Sequence, residues 1–299
     1  MWAENKLSRK VRLGVANPRL VFRTMRLPAI ENPEELAAAV RFQAQDELPM
    51  PLDQAVLDHH VVGGVPAADG GKPQILVAVV AARKDMISSY IDPLRRAGLQ
   101  PVGVDLSAFG MIRALAANGN LENGAAAEQA GEVEPPTENG SAGAVLYCHI
   151  GEITNLAVAS GRSCLFTRSS ASGLGHPAES LAAKRGLTTE HSRQWLAHVG
   201  LGEPVEGIEG DPSLVADARE ALEEGASALA GEVRLSLDYY GAQEDASPVE
   251  RVLVCGPGSA IPVARKFAMT LRSSYSNAFQ KLPTFRPISF SHAPGLAAM

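Results

Sequence analysis

The stretch from Asn32 to Val62 constrains this chain most. It opens with helix-start chemistry. Asn32 can cap, Pro33 suits the first helical position, and Glu35 follows Asn32 by three residues as in a capping box. Leu36, Val40, Ala44 and Leu48 then recur at four-residue spacing, on one helical face. Pro49 and Pro51 stop the helix, because neither has an N–H to donate. A strand-like run from Ala55 to Val62 follows. The pattern predicts an amphipathic helix packed on a sheet.

The flanking sequence alternates strand and helix signals. Val11 to Met25 reads as two short strands around an Asn17-Pro18 turn. Gly63 to Lys72 reads as a polar connection, and Ile75 to Ala82 as a buried strand. Asp85 is expected to cap a helix whose apolar face is Met86, Ile87, Tyr90, Ile91 and Leu94, with a kink at Pro93 and a left-handed stop at Gly98. Val102 to Val104 is a further strand, and Asp105 is expected to start a helix through Phe109, Met111, Ile112 and Leu115. Ala116 to Gly143 holds five Glu and no aromatic residue. Such a segment buries too little apolar surface to offset its ordering entropy, so it reads as a disordered acidic linker with a domain boundary inside it.

The second half begins with two facing strands, Ala144 to Ile150 and Thr154 to Ala159, joined by a Gly151-Glu152 turn. Cys164 to Arg168 continues the sheet, and Gly173 to Leu201 is helical with Gly breaks. Asp211-Pro212 opens a long helix with Leu214, Ala218, Leu222, Leu229, Val233 and Leu237 on its buried face. A strand from Val252 to Cys255 runs into Gly256-Pro257-Gly258-Ser259, with a helix from Pro262 to Arg272 and a last strand near Phe285 and Ile288 beyond it. Strands alternating with helices around Gly turns argue for an α/β fold.

Composition narrows the function. The chain has 299 residues, is 45% hydrophobic and carries a net charge of −6, which suits a globular protein with no general affinity for nucleic acid or anionic membrane. The cationic run Lys6, Arg9, Lys10, Arg12, Arg19, Arg23 and Arg26 reads first as a solvated basic edge and second as a phosphate or lipid contact. No apolar run is long enough to span a bilayer, so membrane association has to come through a partner. Cys148, Cys164 and Cys255 lack zinc or redox spacing and suit the cytosol.

Two Gly turns could bind a nucleotide, although a structural turn is the commoner meaning of each. One is His149-Ile150-Gly151-Glu152-Ile153-Thr154-Asn155, between strands, where backbone N–H groups can face a phosphate. The other runs from Cys255 through Gly256, Gly258 and Ser259 to Pro262, from strand to helix. His59 and His60 are adjacent on a strand and point to opposite faces, so they share no metal. Ser163, Cys164 and the scattered His residues form no nucleophile–base set, and no catalytic or metal-ligating residue is assigned.

Several of these segments together resemble the PilM family, actin-like cytoplasmic proteins of type IV pilus assembly. The Arg41-Phe42-x-Ala44 helix, then Leu48-Pro49-x-Pro51-Leu52-Asp53 and Val56-Leu57-Asp58, carry the resemblance most specifically, followed by Leu76 to Leu106. The two Gly turns resemble the second phosphate loop and the adenosine loop of actin-like ATPases. The family writes the first as Asp-Ile-Gly-x-x-x-Thr-Asn. Ile150, Gly151 and Asn155 fit it, Thr154 falls one place early or aligns to a shorter form of the loop, and His149 stands where the family has Asp. The run Gly231 to Tyr240, with Glu232, resembles the family's helix before the last strand.

The resemblance implies an actin-like ATPase (ribonuclease H-like) fold. Residues 1–115 would form an N-terminal lobe with a small α/β subdomain inserted at about 19–101, residues 116–143 the linker, and residues 144–299 the second lobe. Family members begin with an Asp-Ile-Gly-Ser phosphate hairpin that this sequence starts too late to contain, so the fold is expected to be incomplete at its N-terminus. The implied role is a scaffold under the pilus machine, cytoplasmic and held at the inner membrane through the short cytoplasmic tail of a PilN-like membrane protein. Phe42, Leu48, Met50 and Leu52 would meet that tail, and pilus motor ATPases are further partners. The implied nucleotide residues are Gly151, Thr154, Asn155, Glu232, Gly256, Gly258 and Ser259. ATP would be the cofactor, Mg²⁺ would come only with it, and hydrolysis is not expected. The alternatives are a nucleotide-hydrolysing FtsA-like protein and a type II secretion platform component.

Overall fold

Asn32 starts the first helix as its chemistry dictates: its side chain accepts from the N–H groups of Glu34 and Glu35. This helix, α1, spans Pro33–Glu47 and ends where Leu48 turns extended before Pro49. The computed structural model describes residues 8–65, 72–116, 143–202 and 204–259. The acidic segment, the expected Pro262–Arg272 helix and the expected last strand at Phe285 and Ile288 lie outside the described residues. The chain divides into two units, Met1–Glu132 with Arg162–Arg168, and Val133–Gly161 with Ser169–Met299.

In the first unit, strands β1 (Lys10–Val15) and β5 (Gln100–Leu106) pair in parallel. A separate sheet has the order β2-β4-β3, from β2 (Val21–Pro28), β4 (Gln74–Arg83) and β3 (Ala55–Val65), antiparallel throughout. Alternation gives this sheet two unlike faces. On one face Val77, Val79 and Ala81 of β4 join Met25 and Leu27 of β2 against Leu36, Val40 and Ala44 of α1 and Leu48 at its end. Helices α2 (Lys84–Arg96) and α3 (107–116) follow β4 and β5 respectively. Phe109 of α3 meets Phe22 of β2 edge-on, with ring centroids 6.4 Å apart.

Three expectations are corrected here. Gly63 and Gly64 belong to β3, not to a connection, because they pair with Leu76 and Ile75 after a register shift at Val61/Gly63. Pairing with a central strand overrides poor local propensity. Asp85 is not the cap of α2. β4 runs straight to Arg83, whose extended backbone takes the cap position. Asp85 lies in the first turn, where its carboxylate accepts from the Arg83 guanidinium at 2.8 and 3.1 Å and from the Met86 N–H at 2.8 Å. Asp105 does not start a helix either. Its pairing with Gly14 keeps it in β5, and its carboxylate takes the Arg113 guanidinium at 2.7 Å.

The second unit holds strands in the order β7-β6-β9, from β6 (Ala144–Ile150), β7 (Thr154–Ser160) and β9 (Val249–Cys255), while β8 (Ser163–Ser170) falls largely within the Arg162–Arg168 segment counted with the first unit. β6 and β7 form a hairpin, while β6 and β9 run parallel. Between β8 and β9 come helices α4 (Gly175–Arg185), α5 (Thr189–Val199) and α6 (Pro212–Gly241). Their apolar faces share one core around Leu181, Leu196, Val199, Val215 and Leu222. Of the expected α6 face, Leu214 alone is only half-buried.

Candidate functional site

Strands β6 and β9 lie side by side in parallel, with His149 opposite Cys255, and each ends in a glycine turn. The carboxyl ends of parallel strands are where ligands sit in open α/β sheets. The turns are packed through two residues of β6. A Cβ added to Gly256 would lie 2.6 Å from the Ile150 carbonyl oxygen and 2.9 Å from His149 Cδ2 and Nε2. A Cβ added to Gly258 would collide with the Ile150 side chain. Gly256 also has φ +88°, a conformation open mainly to glycine. On the other side, a Cβ on Gly151 would lie 3.0 Å from His149 Cε1. The His149 ring therefore stands between Gly151 and Gly256.

The remaining predicted nucleotide residues are placed as follows. Thr154 faces Ile150 and Asn155 faces His149 across the β6–β7 hairpin. Both are buried; Asn155 Oδ1 accepts from Ser169 Oγ at 2.7 Å, and Thr154 Oγ1 has no hydrogen-bond partner. The Gly151 N–H is taken by the Ile153 carbonyl at 3.1 Å, and its carbonyl accepts from Leu174 N–H at 2.8 Å. Ser259 closes the short 3₁₀ turn Pro257–Ser259, and Glu232 is half-buried on α6. The sequence shows Ile150 as part of the first turn but not as the residue packed against Gly256 and Gly258. Only the parallel pairing of β6 with β9 brings it beside that turn.

Burial pushes the His149 imidazole below its usual pKa, so the ring is neutral near pH 7. Burial also raises the thiols of Cys148, Cys164 and Cys255, Cys164 to about 12 and Cys255 to about 11, which makes them small apolar residues rather than nucleophiles. Among the described residues no group of three or more His, Cys, Asp or Glu is placed to hold a metal ion, and no helix is long and apolar enough to cross a membrane.

The first unit contains a second feature. The face of the β2-β4-β3 sheet turned from α1 borders a groove of about 480 Å³. Val56 and His60 of β3 and Val80 of β4 line it, with Ile91 of α2 and Val104 and Asp105 of β5. Val56 is 47% exposed and Val104 38% exposed, although both are apolar. The expected partner residues lie elsewhere. Leu48 is buried in the core with Val40 and Ala44. Met50 and Leu52 are half-buried against that same core. Phe42 is 75% exposed on α1.

Parallel β6 and β9 ending in paired glycine turns, with a three-helix insertion before β9, define the α/β fold of the actin-like ATPases. The model of the type IV pilus assembly protein PilM family matches residues 2–281, and the chain belongs to that family. A chain of a PilM–PilN type IV pilus biogenesis complex shares the fold with a TM-score of 0.70 at 22% identity, over 97% of this chain and 72% of that one. MreB5 of Spiroplasma citri bound to AMPPNP is similar with a TM-score of 0.44 at 15% identity, over 69% of this chain and 60% of that one. The ethanolamine utilization protein EutJ from Carboxydothermus hydrogenoformans gives 0.33 at 15% identity, over 62% and 52%. No curated protein sequence matches.

Proposed function

We propose that the chain is a non-hydrolysing scaffold of type IV pilus assembly whose first-unit groove takes the short cytoplasmic tail of a PilN-like membrane protein. The observation that carries this is the groove's open apolar face. A groove that leaves Val56 of β3 and Val104 of β5 partly in water has surface to give to a partner. Family membership, and the fold shared with a chain of a PilM–PilN complex, support the choice of occupant. A tail bound there would hold the protein at the cytoplasmic side of the inner membrane. A preformed groove lowers the ordering cost of a peptide, so modest area suffices for micromolar affinity. The test is titration of a labelled tail peptide from the neighbouring membrane protein into wild type, Val56→Asp and Phe42→Ser. Binding to wild type that weakens at least about tenfold in Val56→Asp, and stays unchanged in Phe42→Ser, is expected. No binding to wild type overturns the assignment.

The glycine turns of the second unit form, on this reading, a nucleotide site that has lost turnover. A carboxylate at position 149 would support Mg²⁺ and its waters, and a neutral imidazole does not replace it. Phosphoryl transfer needs that positioned charge. Purified protein is therefore expected to show no Mg²⁺-dependent ATP turnover. Turnover above background that vanishes when Gly256 and Gly258 are replaced by bulky residues would overturn this part.

A further inference from the structure

We propose that the His149 ring is a built-in plug that fills the gap between the Gly151 and Gly256 turns and keeps a phosphorylated ligand out. The proposal rests on reading those turns as a nucleotide site. The two edges of the ring face the two turns: Cε1 comes within 3.0 Å of where a Gly151 Cβ would be, and Cδ2 and Nε2 within 2.9 Å of where a Gly256 Cβ would be. Even one methyl group at either glycine would press on the imidazole. The absence of side chains there thus accommodates a residue of the chain itself, in the position where a ligand would use the same clearance.

The ring is also badly suited to share the space. It is half-buried, and that burial favours its neutral form, so it brings no charge to a phosphate. The Gly151 N–H is already satisfied by the Ile153 carbonyl, so removing the ring offers volume rather than a new donor at that position. The gap lies at the carboxyl ends of parallel β6 and β9, which favours ligand entry once the volume is free.

The experiment is calorimetric titration of ADP, and separately of inorganic phosphate, into the full chain as wild type, His149→Ala and His149→Asn, each checked for a cooperative melt. The plug predicts that His149→Ala binds ADP at least about tenfold more tightly than wild type. His149→Asn decides in the same way if the Ala variant does not fold. Equal or tighter binding by wild type overturns the plug and leaves the nucleotide site standing. Absence of ADP binding in every folded protein overturns both. Phosphate binding that rises with ADP binding assigns the freed space to the phosphate end; ADP binding that rises alone overturns the placement of the phosphate beside residue 149.

Discussion

The hydroxyl of Tyr240 accepts from the backbone N–H of Ser247 at 2.9 Å and donates to the carbonyl of the same residue at 3.1 Å. One side chain at the end of α6 thereby holds the loop that feeds β9 and the glycine turn beyond it. Tyr240 is buried, so Tyr240→Phe would leave the Ser247 backbone groups without this partner. A loss of about 1–2 kcal/mol is expected, read as a lower urea midpoint at unchanged slope.

Gly256→Ala tests the turn itself. Its positive φ costs an L-residue about 1–2 kcal/mol, and the added methyl also meets the Ile150 carbonyl at 2.6 Å. The variant should lose at least that much stability in chemical denaturation. A neutral result would mean that the turn relaxes away from Ile150.

Phe42 and Leu48 lie on or beside the same helix and should behave oppositely. Phe42 is 75% exposed, so Phe42→Ala should change stability by less than about 0.5 kcal/mol. Leu48 is buried against Val40, Ala44 and the sheet, so Leu48→Ala should cost about 2–5 kcal/mol. Paired urea titrations check both.

Asp211 caps α6 and accepts from the hydroxyl and N–H of Ser213 and from the N–H of Leu214. The hydrogen bonds from Ser213 hold its carboxyl below the usual carboxylate range. A group whose folded pKa is depressed contributes stability that is complete above its unfolded pKa, near 3.9, and is lost as pH falls through the lower folded value. Asp211→Asn keeps a capping oxygen but does not titrate. Its stability should fall less steeply than wild type below about pH 4, measured by melts across that range.

Much of this was legible in the residues. Asn32, Pro33 and the four-residue spacing from Leu36 to Leu48 defined α1 because capping and periodicity are local. The left-handed stop after α2 was visible in Gly98, which has φ +77°. What is set by distant pairing was not. Gly63 and Gly64 look like a turn until β4 is laid beside them. Consecutive strands β1 and β2 join different sheets, because β1 finds its partner in β5. His149 was noticed as a departure from the family pattern, but its position between Gly151 and Gly256 depends on the parallel neighbour, which no local pattern reveals.

The alternation of β4 bears on how this protein can change over generations. Val77, Val79 and Ala81 serve the hydrophobic core, while Ala78, Val80 and Ala82 floor the groove. Every second residue answers to a different selection, and an insertion or deletion of one residue would exchange the two sets. New binding preferences are thus expected to accumulate in the bordering β3, α2 and β5 positions, while the strand beneath them drifts slowly.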